Sequence, residues 1–180
     1  MTVTDKDRGW QAILREATSV GEMSVSVGVH ADSRDHDGTT TAAIGAFHEY
    51  GIGVPQRAWL GPGIDDATPE ILRLSERIYF DAILAGSVSA RQAGGLIGER
   101  MQAAAQQRLR DKDPSWAPLA PYTKARKAKK IRGSKREGKG ARQRQAEFVA
   151  GDGNPLIDTG QLLQSVRYKV HFGIEAGALH

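Results

Sequence analysis

The chain has 180 residues, enough for one domain with a buried core, and it contains no cysteine, which excludes disulfides and thiolate metal sites. No apolar run approaches the ~18 residues that a membrane-spanning helix needs, so we expect a protein that is made in a cytosol. Residues 122–145 hold eleven of the 25 Lys and Arg residues but one of the 21 acids, and the remaining 14 basic and 20 acidic residues leave the rest of the chain at −6.

The first third of the chain predicts a helix, a strand and a second helix. Apolar residues at helical spacing in residues 10–17 predict the first helix, with Asp7 as its cap. Valine alternates with small residues in residues 25–29, which predicts a strand with one buried face. Residues 44–48 favour a short helix that stops at Gly51, because glycine readily adopts the left-handed conformation there.

The next segment, residues 51–63, is too rich in Gly and Pro for a regular element, and we predict an extended arm. Thr68 as a cap and Pro69 at the first helical position predict the start of a third helix. Gly86 is expected to end it.

The second half predicts one more long helix, a basic loop and a final strand. Ser89 and Gln92 form a capping-box pattern, and helical spacing then continues to about residue 110. Residues 122–150 are interpreted as a basic, flexible insertion. A capped helical turn at residues 158–161 precedes a strand that alternates over residues 166–170. Strands and helices do not alternate regularly, so the predicted class is α+β: a small antiparallel sheet flanked by helices in one domain, residues 1–180.

Three motifs resemble sites of chemistry but are incomplete. His48 and Glu49 begin a zinc-protease pattern, but Ile52 stands where the second histidine is needed. Residues 133–139 match the start of a phosphate-binding loop, but Gly140 replaces its hydroxyl residue. Residues 32–37 are acidic and lack the spacing of a calcium loop. We therefore expect no catalytic residue, no metal and no cofactor, and a protein that is not an enzyme.

Several stretches together resemble a known family. The stretches AAIGAFHEYG, VPQRAWLGPGID, WAPLAPYTKARK and PLIDTGQLLQSVRYKV are similar to those of tailed-bacteriophage neck and tail-completion proteins, often labelled virion morphogenesis or minor tail components. The family's motifs fall here on residues 48–51, 55–60, 116–127 and 156–162, in the family's order. The match spans about residues 20–170.

The resemblance implies a structural virion protein that forms a ring at the head–tail junction or tail top and joins head to tail. Its implied partners are further copies in a ring, for which six-fold symmetry is one option, head-connector and tail proteins, and DNA that passes through the channel. It implies no membrane and no cofactor. The implied location is the virion, and the host cytoplasm during assembly.

Two sets of residues follow from this interpretation. The segment 51–63 would be a docking arm, or alternatively a buried loop packed on its own domain, and its anchors are Pro55, Arg57, Trp59 and Leu60. A structural set would fix turns and chain entry: His48, Glu49, Gly51, Asp158, Thr159 and Gly160.

The basic segment supports a second hypothesis, a sequence-independent nucleic-acid-binding protein. Lys and Arg side chains gain affinity for DNA by releasing counterions from its phosphates. The alternative is a solvated loop without a partner. The candidate DNA-contacting residues are Lys124, Arg126, Lys127, Lys129, Lys130, Arg132, Lys135, Arg136, Lys139, Arg142 and Arg144.

Overall fold

Helices and one small sheet make up the computed structural model, which describes residues 9–29, 39–132, 154–156 and 160–173. In these residues two strands pair in an antiparallel sheet. The α+β prediction is confirmed. The elements in chain order are α1 (Trp10–Gly21), β1 (Met23–Val29), α2 (Thr41–Tyr50), α3 (Leu60–Arg77), a π-helix (Ile78–Ile83), α4 (Ala90–Asp111), α5 (Pro121–Arg132), α6 (Gln161–Ser165) and β2 (Val166–Phe172).

The chain divides into two compact units, each assembled from separated segments. The first unit comprises Met1–Gly28, Pro62–Ala105 and Val166–His180. The second unit comprises Val29–Gly61 and Gln106–Ser165. The four motifs of the family resemblance, at residues 48–51, 55–60, 116–127 and 156–162, therefore all belong to the second unit.

In the first unit, two glycines of α4 let the sheet approach the helix closely. A Cβ atom on Gly94 would lie 2.7 Å from Val170 Cγ1, and one on Gly98 would lie 2.6 Å from Tyr168 Cγ. These separations are far below van der Waals contact, so only glycine fits. The side chains of β2 alternate in exposure from Val166 onward, as the sequence predicts.

The interior of the first unit lies between the π-helix and α4. Ile78, Ile83 and Ala93 are buried there, and Leu74 and Ile97 pack against them. This arrangement positions the start of α4, where the predicted capping box is also found. The Ser89 N–H donates to Gln92 Oε1 at 3.0 Å, and the Gln92 N–H donates to Ser89 Oγ at 3.3 Å. Gly86 adopts φ 68° after the π-helix, which agrees with the predicted stop.

The start of α3 differs from the prediction. The helix begins at Leu60, eight residues before Thr68, and Pro69 lies inside it. The Thr68 hydroxyl donates to the Ile64 carbonyl at 2.9 Å and caps nothing. A tertiary contact starts this helix instead: the carboxylate of Glu49 accepts its first backbone N–H groups.

The basic segment also differs from the prediction in its first part. Residues 122–132 were expected to be loop but form most of α5, which begins with Pro121 at a position that suits proline. Lys127 and Ala128 are buried on the inner face of α5. This packing stabilises the helix, although its many charges predicted a solvated loop. Residues 133–150 lie outside the described residues. The expectation that they form an insertion therefore stays a prediction.

At the amino-terminal end, Gly9 precedes α1 with φ 102°, and the predicted cap Asp7 lies outside the described residues. None of the residues of α1 is fully buried, although its apolar side chains share one side of the helix. Within the described ranges, every helix is too short or too polar to traverse a bilayer.

Candidate functional site

The His48–Gly51 motif forms the end of α2 and a clamp on the segment that follows. Gly51 has φ 72°, which turns the chain as predicted. Behind it, Glu49 Oε2 accepts the backbone N–H of Trp59 at 2.7 Å and of Leu60 at 2.9 Å, and Oε1 accepts that of Gly61 at 2.9 Å. A carboxylate at this helix start meets both the unpaired N–H groups and the positive end of the helix dipole.

The proposed anchors of the docking arm are interior side chains. Trp59 is 2% exposed, and its indole Nε1–H donates to the Gly45 carbonyl at 3.3 Å. Arg57 is 5% exposed. Leu60 is half-buried as the first residue of α3, and of the four anchors only Pro55 is exposed. The structure thus favours the alternative of a segment packed on its own unit, and it corrects the expectation that Trp59 projects from the body.

The Trp116–Lys127 motif packs directly on that segment. The Arg57 guanidinium donates through Nε and Nη2 to the Ala117 carbonyl, at 3.1 and 3.0 Å. In return, the indole Nε1–H of Trp116 donates to the Ala58 carbonyl at 3.2 Å. These bonds join two segments that lie about sixty residues apart in the chain, and they satisfy carbonyl groups that no regular element would pair.

The fourth motif completes the same unit. Leu162 contacts the α-carbon side of Gly45, where an added Cβ would lie 3.3 Å from Leu162 Cδ1. Gln161 Nε2 donates to the Thr41 hydroxyl at 3.3 Å. Gly160 has φ 78° and precedes α6, whereas Asp158 and Thr159, predicted to cap this turn, lie outside the described residues.

A cavity of about 480 Å³ opens between these motifs in the second unit. Its walls combine apolar side chains with basic ones, an arrangement that no spacing in the sequence indicates. The apolar wall includes Ile44, Val54, Pro55, Pro118, Leu119, Leu156 and Leu162. The polar and charged wall includes Thr41, His48, Arg57, Thr123, Arg126, Lys127 and Gln161.

The cavity wall is positively charged at neutral pH. Burial, with smaller contributions from the charges of Arg57 and Lys127, lowers the pKa of His48 to about 4, so its imidazole is neutral. Its Nδ1 atom is buried and has no hydrogen-bond partner in the part of the chain that the structure describes. Burial also lowers the pKa of Arg57, although arginine keeps its charge at physiological pH.

The basic candidates of α5 occupy different environments. Arg126 and Lys129 are exposed, and Lys124 is half-buried. Lys127 is only 9% exposed, and its Nζ donates to the carbonyls of Asn154 and Pro155 at 3.5 and 3.4 Å. Lys127 therefore fits neither the DNA contact nor the solvated loop expected for this segment, because it is buried and carbonyl groups replace part of its hydration.

The other basic candidates are described in part or not at all. Lys130 and Arg132 belong to α5 by their backbone. The remaining five lie outside the described residues: Lys135, Arg136, Lys139, Arg142 and Arg144. The phosphate-loop match at residues 133–139 and the acidic stretch at residues 32–37 also lie outside them. Where the structure describes the chain, no three His, Asp or Glu side chains are grouped to hold a metal ion.

Sequence reasoning missed the exposed apolar side chains. In the first unit, α1 packs against the π-helix. Trp10 and Leu14 of α1 and Phe80 of the π-helix are exposed, as is Leu84, which follows the π-helix. In the second unit, Tyr50 and Ile52 are exposed on either side of Gly51. Their spacing resembles that of core residues, so the sequence alone could not show that they face outward.

Comparison of the chain with known protein families, with curated proteins and with solved structures found no match.

Proposed function

We propose that this chain is a structural protein of a tailed-phage virion, which forms a ring at the head–tail junction or tail top and joins head to tail. One observation carries the proposal: the four stretches of the family resemblance contact one another in the second unit. Glu49 binds the start of α3, Arg57 binds the carbonyl of Ala117, and Lys127 binds the carbonyl of Pro155 at the start of the fourth stretch.

These contacts support the resemblance because they give the motifs a common role. Each motif is too short to be specific by itself. A chance match would give no reason for Glu49 of one motif and Trp59 of the next to share a hydrogen bond of 2.7 Å. A chance match would also give no reason for the Arg57 guanidinium to donate to the Ala117 carbonyl, which belongs to a third motif. A framework of this kind fixes a fold and leaves the outer surfaces to bind partners.

With Trp59 buried, the ring contacts are assigned to the exposed apolar side chains. Trp10 is 64% exposed on α1, and Phe80 is 63% exposed on the π-helix that α1 contacts. Large exposed aromatic side chains are enriched at the centres of protein interfaces. A ring subunit needs such surfaces on the isolated chain, because its neighbours cover them only after assembly.

Native mass spectrometry and electron microscopy of the purified chain test the ring. We expect a closed oligomer for the natural sequence and for Gln11→Ser, an exposed polar position on the same helix as Trp10. We expect Trp10→Ser with Phe80→Ser to give monomers with an unchanged circular dichroism spectrum. A natural chain that stays monomeric at all concentrations and is absent from virions overturns the proposal.

The joining role needs a test in virions. Particles assembled without this chain should accumulate as DNA-filled heads and separate tails, and added purified protein should restore infectious particles. Joined, infectious particles that lack the chain would contradict the proposed role.

The exposed side of α5 favours DNA contact as a second candidate function. Arg126 and Lys129 are exposed and lie three residues apart, so they share one side of the helix. A ring that surrounds DNA would gain from such cations on its inner wall, and binding would depend on phosphates and not on base sequence. The salt dependence of DNA binding distinguishes this role, because each phosphate contact contributes to the slope of log affinity against log salt.

A further inference from the structure

We propose that the cavity of the second unit binds a carboxylate that is carried on an apolar group. This site shares Arg126 with the DNA contact proposed above, but it does not depend on that contact or on the ring. Its elements are a buried guanidinium, a buried imidazole nitrogen without a partner, a cation at the rim and an apolar wall.

The strongest indication is the charge of Arg57. Its side chain is 5% exposed, and its hydrogen bonds go to the carbonyls of Ala117 and Pro118. Among the described residues it forms no ion pair. A charge removed from water is costly unless an opposite charge compensates it, and carbonyl dipoles compensate only in part. An anion in the cavity would supply the missing compensation.

His48 adds a neutral hydrogen-bonding group to the same wall. Its Nδ1 atom is buried, and no described residue accepts or donates a hydrogen bond there. A neutral imidazole carries one N–H, and in the tautomer with the proton on Nδ1 that nitrogen can donate to a carboxylate oxygen. The nearby charges of Arg57 and Lys127 oppose its protonation, and a bound anion would relieve that repulsion.

The apolar wall decides which anion fits. Ile44, Val54 and Leu162 line the cavity together with the cations. Phosphate is strongly hydrated and gains nothing from such a wall, whereas an organic acid can bury its hydrocarbon part there. The volume of about 480 Å³ lies in the usual range of small-ligand sites, ~300–1,000 Å³. A monocarboxylate with a short apolar chain therefore matches both walls.

Isothermal titration calorimetry of the full chain at pH 7 tests this with hexanoate, hexanamide and inorganic phosphate as probes. We expect hexanoate to bind at least ~10-fold more tightly than hexanamide or phosphate, since charge pairing and apolar burial act together. Acetyl-leucyl-leucine and its carboxamide form a second pair, which shows whether a peptide terminus can supply the carboxylate. Equal affinity for acid and amide in both pairs, or tighter binding of phosphate than of hexanoate, overturns the proposal.

A matched pair of variants locates the site. Arg126 lines the cavity, whereas Lys129 lies on the same helix and does not. Arg126→Gln should weaken hexanoate binding by ~5-fold, the effect of one partly exposed ion pair, and Lys129→Gln by less than ~2-fold. Equal effects of the two variants would mean that hexanoate binds elsewhere.

A third variant separates an external ligand from the chain's own carboxylate. Asp158 lies in sequence between the cavity residues Leu156 and Gly160, and it is outside the described residues. If the natural chain binds no probe and Asp158→Asn binds hexanoate, the carboxylate of Asp158 itself occupies the cavity and the proposal fails. Binding by both chains supports it. Native mass spectrometry of Arg126→Gln shows whether this variant still forms the ring. A variant that forms the ring but binds hexanoate more weakly separates carboxylate binding from the proposed virion role.

Discussion

The carboxylate of Glu49 accepts the backbone N–H of Trp59 at 2.7 Å, across ten residues of chain. This bond explains why an acid follows His48 at the end of α2. Glu49 is half-buried, and its carboxylate fixes the first turn of α3 to the preceding helix. The Arg57 N–H donates to the His48 carbonyl at 2.8 Å and closes the same loop from its other side.

Loss of the Glu49 charge should destabilise the second unit. Glu49→Gln keeps the size of the side chain but leaves one acceptor oxygen for three N–H groups, so we expect the free energy of unfolding to fall by about 2 kcal/mol. Urea denaturation measures this. Glu76→Gln, an exposed position on α3, is the control and should change stability by less than ~0.5 kcal/mol. Equal effects at both positions would contradict the clamp.

Truncation of Trp59 should act on stability first. Trp59→Ala removes a side chain that is 2% exposed and should cost ~3–5 kcal/mol in the free energy of unfolding. Trp59→Phe should cost less, because it keeps most of the packing and loses the hydrogen bond to Gly45. Trp10→Ala, at an exposed aromatic residue, should leave the thermal midpoint nearly unchanged. A stable Trp59→Ala chain would show that the interior of the second unit does not depend on this residue.

Three glycines of α4 provide an internal comparison. Gly94→Ala and Gly98→Ala should each destabilise the first unit by ~1–3 kcal/mol, because the new methyl group meets Val170 or Tyr168. Gly95→Ala has room, with the nearest atom 3.7 Å away, and should stabilise the helix by ~0.5–1 kcal/mol. Thermal denaturation compares the three. The close packing of sheet on helix is disproved if all three substitutions shift the midpoint in the same direction.

The protonation of His48 should make stability depend on pH. Its pKa is about 4 in the folded chain and 6.5 when unperturbed, so the unfolded chain binds more protons between these values. The free energy of unfolding should therefore be steady above pH 6.5 and fall as the pH decreases towards 4, by at most ~3 kcal/mol from this residue, less in proportion to its remaining exposure. The difference between the natural chain and His48→Gln isolates the effect. A difference that is constant from pH 7 to 4 would contradict the burial of His48.

DNA binding by α5 should follow the exposure of its cations. Lys129→Gln and Arg126→Gln should each lower affinity for any duplex sequence and reduce the slope of log affinity against log salt by about 0.9. Lys127→Gln should leave that slope unchanged, because Lys127 is buried and bonded to carbonyls. Fluorescence anisotropy over a range of salt concentrations measures the slopes. Equal slopes for the natural chain and the Lys129 and Arg126 variants would exclude α5 from the DNA contact.

Local patterns in the sequence predicted the elements that local interactions determine. The capping box at Ser89, the stop at Gly51 and the alternation from Val166 depend on residues a few positions apart, and the structure contains all three. The start of α3 depends instead on Glu49, which no pattern near Thr68 could reveal.

The site was harder to predict because its parts come from distant segments. The sequence predicted Arg57 and Trp59 as docking residues, but both are buried. The same residue types serve as anchors at an interface and inside a fold, so residue type alone does not distinguish the two. The cavity needs α2, the segment around Arg57 and α5 to converge, and this convergence is a tertiary property. Lys127 shows the same limit: its charge suggested solvent, but carbonyl groups 27 and 28 residues later decide its position.

The pairing of β1 with β2 has a consequence for how the chain folds during synthesis. Ser26 Oγ and His171 Nε2 lie 3.0 Å apart across the sheet but 145 residues apart in sequence. During synthesis, β1 is made before most of the described chain. Its partner strand β2 exists only after the residues between the two strands have been made. Contacts of such long sequence separation slow folding and leave a strand edge open to other nascent chains in the meantime. The first unit is therefore completed after the second, although its residues Met23–Gly28 are made before those of the second unit.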